Sequence, residues 1–215
     1  MNIGYTALLA HSLGCHVEGV EASPKTYAFL IENIRRNSAE KFITAHHAAV
    51  SRHSKRGSTV AFRNDRTGLT NFVDLKGSGR NNSALVYVPT IQSIAVNTSP
   101  PPIFMKIDVE GFEYSALLTV KHLLGRIPII LFEWYPARMQ ERDGDESAGM
   151  FLGTLRRTGY TLLHYNGQRA TDEELLAPGF AEGDVFAILS TFKVRKFVRE
   201  VTAFHSRMLQ ATRNH

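Results

Sequence analysis

Hydrophobic spacing in this chain switches repeatedly between short strand-like runs and helical stripes, and that alternation limits the folds open to it. Residues 5 to 13 read as a helix that Gly14 can end. "HVEGVEA" then carries Val17 and Val20 as a short strand closing on Glu21. "SPKTYAFLIENIRRN" follows as the clearest helix, with Tyr27, Leu30, Ile31 and Ile34 on one face. Ser23 can cap it, Pro24 suits its first turn, and Asn37 is a natural stop. "KFITAHHAAVS" reads as a second strand running into a loop. Between Ser51 and Ser99 the pattern changes to short β-like pieces, "STVAF", "TNFVDL" and "ALVYVP", separated by turn-rich stretches such as "GSGRNNS". These predict antiparallel hairpins or a flap, and "NTSPPP" (97–102) predicts a stiff linker behind them. The alternation then resumes. A strand at 103–107 precedes a helix from Glu113 to Leu124, "IPIILFEW" precedes a helix from Glu146 to Arg157, and "YTLLHY" and "DVFAILS" make two final strands. The whole predicts an α/β sandwich with a mostly parallel sheet and a β-hairpin insertion.

In such a sheet, ligands bind at the carboxyl ends of the strands, and three features fall there. Asn2-Ile3-Gly4-Tyr5 directly precedes the first helix, where glycine lets a ligand approach the backbone and the helix terminus favours negative charge. Glu21 closes the next strand seventeen positions after Gly4, a spacing suited to accepting hydrogen bonds from ribose hydroxyls. Asp108, Glu110 and Glu113 crowd together where the strand 103–107 stops. Carboxylates that close repel one another, and one of them can be pushed toward a higher pKa and made a better base. For Glu113 the plain alternative is an acid placed to favour a helix N-terminus. Hard oxygen ligation of Mg²⁺ by Asp108, Glu110 and Glu133 is a further alternative, and the reading adopted has no metal. His46 and His47 point to opposite faces of their strand and are read as structural or solvent-facing.

The stretches "NIGYTALLA" (2–10), "VEASPKTYAFLIENIRRN" (20–37), "MKIDVEGFEYSALL" (105–118) and "ILFEWYP" (130–136) together resemble the FkbM-type methyltransferases, over residues 1 to 190. The most specific of these signatures is the lysine-isoleucine-aspartate-x-glutamate-glycine-x-glutamate block. The resemblance implies a Rossmann-like class I methyltransferase sandwich that uses S-adenosylmethionine. It implies that Asn2, Gly4 and Glu21 bind the cofactor, that Ala49 or Val50 lies near the adenine, and that Asp108, Glu110 and Glu133 border the transferred methyl and the acceptor. Asp108 counts in both sets. The acceptor class implied is a hydroxyl on a sugar, glycan or secondary metabolite.

Two departures from the family pattern stand out. Family members carry a strand and an aspartate-x-glycine before "NIGY", whereas this chain opens at Met1 inside that loop. We therefore expect the first strand to be missing or truncated and the true start to lie upstream. Gln92 in "VPTIQSI" stands where the family has aspartate, which points to a different acceptor choice.

Composition narrows the rest. No apolar run approaches the roughly 20 residues of a membrane span, the opening residues lack a secretory leader, and the single Cys15 rules out an internal disulfide framework. These predict a cytoplasmic protein. The net charge of +5 and pI near 9.4 permit an anionic partner. That excess resides in the tail from Thr191, and without its residues basic and acidic side chains balance at 19 each. Val194, Phe197, Val198, Val201, Phe204 and Met208 fall on one face of a basic amphipathic helix over 191–215, beyond a methyltransferase domain at 1–190. That helix is read as packed on the domain with a basic outer face, and a membrane-surface or subunit contact is the sharper alternative. Two rival functions are a non-catalytic remnant of the fold and a basic nucleic-acid-binding protein. No nucleic-acid motif is present, and no nucleic acid is expected as a partner.

Overall fold

The computed structural model describes residues 1–50, 59–63, 71–73, 85–91, 102–180 and 183–193. Helix α1 (Tyr5–Ser12) starts at Gly4, whose φ of 96° is open to glycine at little cost. Strand β1 (Val17–Glu21) leads to α2 (Pro24–Arg36), capped as predicted: the Ser23 hydroxyl accepts the Thr26 amide at 3.3 Å. Strand β2 (Ile43–His47) returns parallel to β1, with Glu21 and His47 side by side at its end. The predicted continuation of this strand is instead a separate short strand, β3 (Ala49–Val50). Then come β4 (Thr59–Arg63), β5 (Asn71–Val73) and β6 (Leu85–Ile91), which form the expected antiparallel ladder in the order β3-β6-β4-β5, with β3 joining parallel to β6.

The remainder builds a four-stranded sheet. Strand β7 (Phe104–Ile107), α3 (Glu113–Thr119), a 3₁₀ turn at Lys121–Leu123, and β8 (Ile129–Trp134) form a parallel unit. Helices α4 (Pro136–Asp143) and α5 (Ser147–Arg157) carry the chain to β9 (Tyr160–His164), one strand-width beyond β8. A single-turn helix α6 (Asp172–Leu175) precedes β10 (Gly183–Leu189), which fills that gap antiparallel to both neighbours. The expected parallel arrangement holds for β1–β2 and β7–β8, and β10 makes this sheet mixed, while two of the antiparallel pairings belong to the expected hairpin insertion. Three pairings are parallel, β1–β2, β3–β6 and β7–β8, and the other four are antiparallel. The reason is that the last strand inserts between two strands already joined by a helical crossover, rather than extending their edge.

Strands β1 and β7 each end their own ladder, and no described strand pairs with both. At the carboxyl end of β1 the chain start lies against the free edge. The Met1 amine donates to the Val20 carbonyl at 2.6 Å, and a Cβ at Gly19 would strike the Met1 side chain at 2.5 Å. The larger core packs α3, α4 and α5 onto the second sheet. Alternate residues of β8, Ile130, Phe132 and Trp134, are fully buried there against Phe151, Leu152 and Leu155 of α5. A smaller core joins Ala7 of α1, Leu30 and Ile34 of α2, Ala39 and Ile43. No helix among the described residues is long and apolar enough to cross a membrane. Gln92, the linker residues 97–101 and the predicted tail helix from Val194 lie outside the described residues.

Candidate active site

The three carboxylates after β7 are separated by the local fold. Glu110 adopts a left-handed φ of 57° and Gly111 one of 99°, so the chain reverses sharply before α3. A Cβ at Gly111 would meet the Arg138 carbonyl and side chain at 2.9 Å, which adds a packing reason for glycine. The reversal turns Glu113 inward, where it is 1% exposed. One of its carboxylate oxygens accepts the amides of Val109 at 3.2 Å and Gly111 at 3.1 Å, closing the turn on itself. Its other oxygen has no hydrogen-bond partner among the described residues. Burial pushes the Glu113 carboxyl above its usual range, with the backbone amides acting against that shift. Glu113 thus holds the loop.

Asp108 and Glu110 point outward, and Glu133 at the end of β8 joins them. Carboxylate oxygens of the three lie within 4.8 Å of one another. Cations on two sides keep this cluster from being an unbalanced anion. Lys106 pairs with Asp108 and Arg138 with Glu110, while Arg142 donates to the Glu110 carbonyl at 2.9 Å. Arg138 also lies over the Tyr135 ring at 4.6 Å. Asp184 of β10 stands directly across from Glu133 in the antiparallel register, so a fourth acid shares that face.

At the end of β1, Glu21 accepts the amides of Asn2 and Ser23, each at 2.8 Å, and the Met1 amine at 3.4 Å. The Met1 amine lies within electrostatic reach of both Glu21 and Asp108. Burial lowers its pKa, and the two carboxylates oppose that shift. Asn2 has a left-handed φ of 53°, and its side-chain carbonyl accepts the Ile3 amide at 2.7 Å. Gly4 is buried, and a Cβ there would strike Leu30 at 2.7 Å, so its glycine is explained by helix packing as well as by its backbone angle. Ala49 is buried and Val50 half-buried in β3, just past His47. His46 pairs with Glu18 at 2.8 Å, while His47 stacks on Tyr27 with ring centroids 4.6 Å apart.

Sequence reasoning missed helix α4 and, with it, the cations that balance the acid rim. Arg138 and Arg142 stand four apart directly after the acidic strand end, a one-face spacing on a helix that was available as a signal. It also missed Asp143, 2% exposed, which accepts the Ser115 amide at 2.7 Å and hydroxyl at 2.8 Å and so ties α4 to α3. Nothing in the local sequence marks that aspartate as internal.

A family model described as the methyltransferase FkbM domain matches residues 1–162, ending within β9. Comparison with curated proteins and with solved structures gives no match.

Proposed function

The chain belongs to the FkbM methyltransferase domain family, and from that premise we propose that it transfers a methyl group from S-adenosylmethionine to a hydroxyl on a sugar, glycan or other small polyhydroxylated acceptor. The observation that carries this reading is the pairing of rims. Glu21 closes β1 and the Asp108–Glu110–Glu133 cluster closes β7 and β8, within the stretch that the family model covers.

The donor set suits such a cofactor. Glu21 is partly buried and already accepts backbone N–H groups, so it is fixed in place, and a carboxylate there can accept further hydrogen bonds from vicinal hydroxyls. Asn2 and the turn at Gly4 lie beside it, and Ala49 and Val50 offer an apolar patch past β2. When bound, S-adenosylmethionine supplies an activated methyl group on a sulfonium. The chain's part is to position the acceptor and manage its proton. Asp108 and Glu133 are placed to hold an acceptor hydroxyl by its hydrogen and to take that proton onto a carboxylate oxygen. Lys106 beside Asp108 and Arg138 beside Glu110 pair with the cluster and hold its carboxylates in place. No metal is required by this reading.

Titration calorimetry with S-adenosylmethionine tests it. We expect saturable heat with the wild type and at least about a tenfold weaker affinity for Glu21→Ala, the loss of a charge-assisted contact. Asp108→Asn is expected to bind the cofactor normally and to lower turnover by about 10²-fold or more in a screen of sugar acceptors. Absence of heat at high micromolar cofactor would instead favour a domain that keeps the fold without the chemistry.

A further inference from the structure

At the end of the second sheet opposite the acid rim, the chain builds a cleft of different character. It lies between the 3₁₀ turn after α3 and the last turn of α5, and its volume is about 330 Å³. That is within the size range of small-ligand pockets. Lys121 and Arg157 stand on its two walls, and Leu118 and Leu124 line it with apolar surface. Thr154 and Thr158 complete the α5 side.

The polar groups are arranged in one sense. The Thr154 hydroxyl donates to the Met150 carbonyl at 2.7 Å and the Thr158 hydroxyl to the Thr154 carbonyl at 2.8 Å. Their protons are therefore spent on the helix. Thr154 Oγ1 then accepts from Arg157 at 3.3 Å, which holds the guanidinium at the cleft with most of its N–H groups unused among the described residues. Neither Lys121 nor Arg157 has a carboxylate partner among the described residues. Arg126 and His122 are exposed on the same connection, and no acid occurs between Tyr114 and Phe132. Lys121 and Arg157 bring positive charge to the cleft, Tyr114 completes its lining, and the apolar wall offers nothing to a bare hydrated ion.

We propose that this cleft binds a phosphoryl group carried on a compact apolar moiety, with Lys121 and Arg157 on the phosphoryl oxygens and the carbon part against Leu118 and Leu124. Arg supplies a planar fork and Lys a point charge, a pairing suited to a phosphate that also bears an organic substituent. The site is separate from the carboxylate rims.

The test is calorimetry of the full chain at low ionic strength with phenyl phosphate and with inorganic phosphate, and flotation with phosphatidylcholine vesicles lacking or containing phosphatidic acid. Saturable binding of phenyl phosphate, tighter than inorganic phosphate, without vesicle capture assigns the phosphoryl group to a free small molecule. Capture by phosphatidic acid vesicles alone assigns it to a lipid headgroup. In either case the variant Lys121→Gln/Arg157→Gln, whose far-UV circular dichroism should match the wild type because both residues are exposed, is expected to weaken binding by about tenfold or more. Arg157→Lys is expected to fall between the two. Absence of binding to every probe, or equal binding by the double variant, overturns the proposal. Cofactor binding by the same preparation reports separately on the methyltransferase reading.

Discussion

The two carboxylate rims are supported very unequally. The acid rim grows from a sheet backed by twenty buried core residues among those described, with Phe132, Trp134 and Phe151 interlocked at ring separations of 4.8 to 5.9 Å. The Glu21 rim grows from a two-stranded sheet whose core, among the described residues, is five: Ala7, Leu30, Ala39, Ile34 and Ile43. Helix α1 makes the contrast plain. It is apolar on most sides, yet Tyr5 and Leu9 are 76% and 50% exposed. A pair of strands with one covering layer is marginal by itself. The lesson is that two carboxylate rims of one chain can rest on cores of very different size, and that the two should respond differently to the same kind of damage.

The largest effect is expected in the wall behind the acid rim. Phe132→Ala removes a fully buried ring and should cost about 3–5 kcal/mol, read as a lower denaturation midpoint. Trp134 is the chain's only tryptophan and sits in that core, so its fluorescence reports on this wall alone. Leu30→Ala, in the smaller core, should cost about 2–4 kcal/mol, seen as an earlier loss of helical circular dichroism with the fluorescence midpoint unmoved. If both signals shift together in both variants, the walls unfold as one body and the contrast drawn above fails.

A smaller change tests how the acid rim is braced. Asp143→Ala orphans the buried Ser115 amide and hydroxyl and should cost about 1–3 kcal/mol. Because α4 also carries Arg138 and Arg142, the same variant should loosen the cations around Glu110. Asp143→Asn, which keeps one acceptor, should recover part of the loss.

The legibility of these two walls in the sequence also differed. The Glu21 wall could be read almost residue by residue, because helix caps, a proline at the first turn and apolar spacing are local signals; Ser23, Pro24 and Asn37 sit where those signals put them. The acid wall was legible as a cluster but not as a structure. Whether Glu113 points into the protein or out of it depends on the left-handed turn at Glu110 and Gly111, and the balancing arginines come from a helix that packs across from it. The antiparallel insertion of β10 was equally hidden, since strand order is decided by which edge remains free after the helices have packed. Periodicity reports which residues are buried, and it says little about which buried faces meet.

Glu113 gives the finest test of the acid wall, through pH rather than through size. Its folded carboxyl is raised above the ordinary value of 4.5 by burial, so the native state holds a proton over a range where the unfolded chain has already released it. Native stability from this group is therefore fully present below the unfolded value and declines as pH rises from about there to the folded value, after which it is level. Burial is the physical reason, and among the described residues no donor meets the second oxygen on which ionisation places charge. Glu113→Gln keeps an acceptor for the Val109 and Gly111 amides but cannot ionise. Measured as midpoints of thermal unfolding across mildly acidic to neutral pH, the difference between wild type and variant should change in the variant's favour as pH rises, and should be flat if the loop is held the same way in both protonation states. A slope of the opposite sign would mean that ionised Glu113 is the stabilised form, and that the turn after β7 is clamped by charge rather than merely closed by two amides.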